Sequence, residues 1–129
     1  MMTPARARRE TSGRKAQSRG MMAETAACLA LEQDGWSVLA RRLRTAAGEI
    51  DVVAERCGLL AFVEVKARPT LTGAAAALEP RQQARLLAAG EIALAEHPGW
   101  GRMGVRFDVL MVDATGQVRR IVDAFRQES

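Results

Sequence analysis

Apolar residues recur along this chain first at helical spacing and then at alternate positions, and the changes of period outline its elements. From Met21 to Gln33 the chain is alanine-rich, which predicts a helix that stops at Asp34-Gly35. Trp36 to Arg44 reads as a first strand, and Thr45 to Gly48 as a turn. Glu49 to Glu55 alternates, with Ile50, Val52 and Ala54 expected on one face and Glu49, Asp51 and Val53 on the other. Arg56-Cys57-Gly58 turns the chain into a third strand, Leu59 to Arg68, so these two strands form a hairpin that Pro69 ends. After a loop from Thr70 to Glu79, a second helix runs from Pro80 to His97 and halts at Pro98-Gly99. Val105 to Asp113 alternates again, Val105, Phe107, Val109 and Met111 against Arg106, Asp108, Leu110 and Val112. Thr115-Gly116 then leads into a last strand, Gln117 to Phe125. The order α-β-β-β-α-β-β predicts an α/β domain whose sheet is covered on at least one face.

At 129 residues the chain is long enough for one domain with its own core, without disulfides or a structural metal. Cys28 and Cys57 stand in no metal-binding spacing and read as free, small hydrophobes in a reducing compartment. No apolar stretch approaches a membrane span, and the start lacks the apolar core of a secretory signal. The expectation is a soluble, cytoplasmic protein with no membrane partner. Charge is unevenly placed: residues 1–19 carry six basic groups against Glu10, a net +5, while the remainder carries 13 basic and 14 acidic groups, a net −1. Residues 1–19 therefore read as a disordered basic tail, either a plain solvated start or a segment with salt-dependent affinity for phosphates. The folded part, 20–129, is no basic platform, and three Phe, two Trp and no Tyr leave little for base stacking.

Arginine supplies 17 of the 19 basic residues, so the two lysines, Lys15 in the tail and Lys66, stand out. Lys66 lies within the apolar run Leu59–Lys66, two residues after Glu64, where a charge is costly to hold. A lysine there is not equivalent to arginine: it is a compact charge whose protonation can be tuned. Glu64, Lys66 and Arg68 share a strand face, and in the natural hairpin register Asp51 comes beside Glu64. Adjacent carboxylates repel unless a cation lies between them, and such an oxygen-rich site suits Mg²⁺ or Mn²⁺. Lys66 is then placed to polarise or deprotonate water at that ion, a set of parts suited to phosphodiester hydrolysis. The alternative for Glu64 and Lys66 is a simple ion pair on a half-exposed strand. Glu24 shares the helical stripe of Ala27, Cys28 and Leu31, so it either completes the metal site or pairs with an arginine near the helix surface.

Other positions carry weaker signals. Arg68 at the strand end, and Arg81, Gln82 and Arg85 at the start of the second helix, are candidates for backbone phosphate contacts, each with a plain solvated role as the alternative. Glu49 is a candidate supporting acid or a solvated turn residue. His97 is expected to cap a helix, and Asp108 to pair structurally with an arginine.

Gly48-Glu49-Ile50-Asp51-Val52-Val53-Ala54, followed by Leu60-Ala61-Phe62-Val63-Glu64-Val65-Lys66-Ala67-Arg68, resembles the paired motif of the YraN family of predicted endonucleases. Gly20 and Glu24, Arg106-Phe107-Asp108-Val109 and Asp123-Ala124-Phe125 extend the resemblance over roughly residues 19–126. It implies a restriction-endonuclease-like PD-(D/E)XK fold, three-layered with a mixed central sheet flanked by helices, distantly similar to archaeal Holliday-junction resolvases. It also implies Asp51 and Glu64 as metal ligands, Lys66 as the catalytic lysine and Glu24 as the helix acid. Gln82 and Gln83 depart from the basic residue the family often carries early in the second helix. The function expected is a divalent-metal-dependent endonuclease acting on DNA, possible on branched or structured substrates, with a homodimer needed for symmetric cutting. The competing expectation is a non-catalytic nucleic-acid-binding or adaptor module on the same fold.

Overall fold

The computed structural model describes residues 20–69 and 79–125. The basic tail, most of the loop expected after Pro69 (residues 70–78), and the side chains of Asp123, Ala124 and Phe125 lie outside the described residues. Helix α1 (residues 20–33) leads into β1 (Ser37–Thr45), β2 (Gly48–Arg56) and β3 (Leu59–Ala67). Helix α2 (Pro80–Glu96), β4 (Gly104–Val112) and β5 (Val118–Phe125) complete the expected order. The strands lie in sequence order in one sheet, with β3 and β4 parallel and every other neighbouring pair antiparallel. Antiparallel neighbours need only short turns, whereas the parallel pair needs a crossover, and α2 lies in that connection.

The two faces of the sheet bury different residues under different helices. Ala23, Ala27, Cys28 and Leu31 of α1 pack with Trp36 on Val52, Ala54, Ala61, Val63, Leu110 and Val112. Leu86, Ala89 and Ala93 of α2 pack on Ile50, Val53, Leu60, Phe62, Val109 and Met111 of the other face. Strands buried on both faces read as near-continuous apolar runs, which is why β3 and β4 lack a polar face along most of their length. At Gly90 a Cβ would come within 3.1 Å of both Phe62 and Phe107, so the missing side chain lets α2 sit directly on that aromatic pair. The β2–β3 turn has Cys57 and Gly58 at φ 52 and 81, both left-handed. These are the backbone requirements of a two-residue turn whose twist matches the strands it joins.

Two expectations are corrected. Cys28 is buried as a small hydrophobe should be, but Cys57 sits exposed at that turn, and both thiols are free. The predicted face of Ile50, Val52 and Ala54 also does not hold: Ile50 packs with Val53 on the α2 side, while Val52 and Ala54 face α1. The face changes between Ile50 and Val52, opposite Arg42, whose φ is 51, while the β1–β2 register is the same on either side of that point and shifts only between Val38 and Ala40. The β2–β3 pairing ends at Val52 and Val63, so Asp51 is the first residue of β2 beyond it.

Candidate active site

Beyond Val63 the β2–β3 ladder is continued by a side chain: Asp51 Oδ2 accepts the Val65 backbone N–H at 2.8 Å. This fixes the Asp51 carboxylate against β3, beside Glu64. Glu64 follows Phe62 on the α2-facing side of β3 and is only 8% exposed. Lys66, next on that face, places Nζ 3.5 Å from Glu64 Oε1. Asp51, Glu64 and Lys66 are thus brought together: the β2–β3 register, continued one step past Val52 and Val63, sets Asp51 opposite Glu64.

The electrostatics of the pair are unusual. Glu64 is pushed up to about 7, first by burial and then by the negative charge of Asp51, with Lys66 opposing. Asp51 is also raised, chiefly by burial, while its bonds from the Val65 amide and from Glu64 pull the other way. The hydrogen bond between the two carboxyls runs from Glu64 to Asp51. One neighbouring ammonium does not compensate both acids.

Glu24 lies 7% exposed on the α1 stripe, with Ala27, Cys28 and Leu31 beside it. Its charge is felt at Asp51, yet its carboxylate is occupied: Arg42 Nε donates to both oxygens, at 2.9 and 3.3 Å, and Arg41 Nη2 stands 3.7 Å away. Among the described residues no three acids, histidines or cysteines gather as a ligand set. The donor set that does gather is Asp51 and Glu64, which fits Mg²⁺ or Mn²⁺, ions commonly held by one or two carboxylates with water and phosphate completing the shell.

The expected phosphate-binding residues stand apart from this cluster. Arg68 is exposed and bonds the carbonyl of Ala67 at 2.9 Å. Arg81 is exposed at the first turn of α2. Gln82 closes a capping box, its Oε1 accepting the Glu79 amide at 3.3 Å. Arg85 lays its stem over Gly48, where a Cβ would meet its Cδ at 3.0 Å. Glu49 is half exposed, 3.9 Å from Arg44. His97 caps α2, its amide bonding Ala93, and stacks on Trp100. Asp108 is structural as expected, held by Arg106 and Arg120. Sequence reasoning passed over Arg41 and Arg42; their signal was two adjacent arginines on a strand that is otherwise half apolar.

Comparison with known proteins matches the model of the uncharacterised protein family UPF0102 over residues 23–112, a span that includes α1, the carboxylate pair and Lys66. A UPF0102 protein of Granulibacter bethesdensis is 63% identical over 114 residues, covering 88% of this chain and 72% of that one. One from Azorhizobium caulinodans is 44% identical over 126 residues, covering 98% and 93%. One from Rhodopseudomonas palustris is 45% identical over 106 residues, covering 82% of each. With the motif, the mixed sheet and these relatives in agreement, the chain belongs to the uncharacterised family UPF0102, the YraN family.

Proposed function

We propose that the protein is a Mg²⁺- or Mn²⁺-dependent endonuclease that hydrolyses phosphodiester bonds of DNA. The observation that carries this reading is the pair of the half-buried Asp51 and the buried Glu64, with Lys66 3.5 Å from Glu64. Two acids held together at the cost of a raised pKa favour a cation beside them, and perturbed groups of this kind concentrate at functional sites. Asp51 and Glu64 would hold the ion, which when bound lowers the pKa of water and offsets charge on phosphate. The residues of the chain do the rest. The Val65 amide orients Asp51, and Lys66 holds Glu64 while its remaining donors face a phosphate oxygen as water attacks phosphorus, one P–O ester bond breaks and the departing oxygen takes up a proton from solvent. Glu24, tied to Arg42, shapes the field around Asp51. Arg68, Arg81, Gln82 and Arg85 are proposed to contact the nucleic-acid backbone further out.

The second reading, a binding or adaptor module that cleaves nothing, draws on one observation: Glu24 is engaged by arginine, so the site offers two acids and not three. Incubation of the protein with linear and branched DNA and Mn²⁺ separates the readings. Cleavage that disappears in Asp51→Ala and in Lys66→Ala is expected; cleavage that survives either substitution contradicts the assignment.

A further inference from the structure

We propose that Arg41 and Arg42, with Arg44 beyond them, form a phosphate-binding strip on edge strand β1 that seats a nucleic-acid backbone beside the Asp51–Glu64 site. The proposal deepens the nuclease reading and takes the ligand's chemistry from it. Consecutive residues of a regular strand point to opposite faces. Arg41 and Arg42 do not, because Arg42 adopts φ 51, and both guanidiniums reach Glu24 on α1. A left-handed backbone is costly for a residue with a long side chain, and such strain gathers at functional sites. Glycine would fit the backbone better, so the conformation points to a use for the guanidinium itself.

The strip is next to the site in the ladder. The pairs Arg41–Val52 and Leu43–Ile50 bracket Arg42 and Asp51, which stand opposite one another in that register. Two guanidiniums confront the single carboxylate of Glu24, leaving one positive charge over. Their side chains remain 42% and 45% exposed, and Arg42 spends only Nε on Glu24, so its Nη nitrogens make no hydrogen bond among the described residues. Arg44 is 90% exposed two residues on. A planar fork with free donors on one edge matches the geometry of a phosphate. The remaining chemistry also fits: the folded part carries little net charge, so affinity for a polyanion must come from local placement of cations.

Binding of labelled linear and branched DNA, followed by fluorescence anisotropy with Ca²⁺ over a range of salt, tests the strip without requiring turnover. The double variant Arg41→Gln/Arg42→Gln should bind about tenfold more weakly and lose about two units of the slope of log K against log salt, since each phosphate contact contributes close to one. Glu24→Gln should tighten binding several-fold by releasing both guanidiniums. Arg102→Ala, near the Gly58 turn at the opposite end of β3 from Lys66, should change nothing. If the double variant does not fold, Arg44→Gln and Glu24→Gln carry the test, with slope changes of about one unit and of the opposite sense to one another. A folded double variant with the wild-type salt slope overturns the strip. Strip-dependent binding without Mn²⁺-dependent cleavage leaves the strip standing and removes the nuclease reading; cleavage with an unchanged slope does the reverse.

Discussion

Two of the buried acids, Asp108 and Glu64, are treated in opposite ways. Asp108, 1% exposed on β4, accepts hydrogen bonds from Arg120 Nη2 at 2.9 Å and Arg106 Nη2 at 3.2 Å. Those two guanidiniums and that of Arg56 lie 4.8 to 5.0 Å from the Trp36 ring centroid, and Asp34 takes a further bond from Arg120. Here charges are desolvated but matched, with an aromatic face backing the cations. Glu64 is buried and Asp51 half-buried beside it, with one ammonium at Glu64, and both carboxyls are pushed up. The chain contains the means to neutralise a buried carboxylate and applies them fully at Asp108. Leaving the second pair short of positive charge is a local conflict of the kind that marks function.

The contrast breaks most visibly under substitution. Asp108→Asn strands two arginines and should cost about 3 kcal/mol of stability, the lower end for a broken buried pair because both guanidiniums reach solvent. Asp51→Asn should do the opposite, raising the stability of the metal-free protein by about 1 kcal/mol while reducing Mn²⁺-dependent cleavage to background. Chemical denaturation beside a cleavage assay reads both; equal losses of stability would erase the distinction between the two regions.

Acidity sharpens it further. An acid whose folded pKa lies above its unfolded value holds a proton that the unfolded chain has lost, so stability falls as pH rises between those values. For Glu64 that window runs from 4.5 to about 7. Melting of the metal-free protein should therefore fall across it and flatten above, and Glu64→Gln should remove this part of the slope. With Mn²⁺ the slope should reverse, because the ion binds the deprotonated form. Wild-type and Glu64→Gln melts with the same pH dependence would refute the raised pKa of Glu64.

Lys66→Met removes the cation that opposes the rise of Glu64, so the acidic limb of the pH–rate profile should move upward and the rate fall by about 10²-fold. Lys66→Arg keeps the charge in a side chain only 17% exposed but changes its shape, and should recover little. Full rescue by arginine would reduce Lys66 to a counter-ion. The smallest effect belongs to Gln82→Ala, which loses the capping box for about 0.5 to 1 kcal/mol and should leave the salt slope of DNA binding unchanged, since a neutral amide releases no counter-ion.

Period and turn residues disclosed the order of elements, the stripe of the first helix and the hairpin because each is written in local spacing. They also brought Asp51, Glu64 and Lys66 to one region. What they missed shares one physical origin. The left-handed Arg42 has no glycine or asparagine to announce it, yet it stands opposite the point where β2 changes face and pairs with Glu24 across 18 residues. Likewise Arg56, Arg106 and Arg120 meet over Trp36 only after the sheet assembles. Partners chosen by tertiary contact leave no periodic trace.

Calorimetric titration of Mn²⁺ into the protein near pH 6.5, in two buffers of different ionisation enthalpy, addresses the carboxylate pair most directly. One ion should bind with release of a proton, and both the binding and the release should vanish in Asp51→Asn and in Glu64→Gln. Binding of equal strength in those variants, or none in the wild type, would contradict the account.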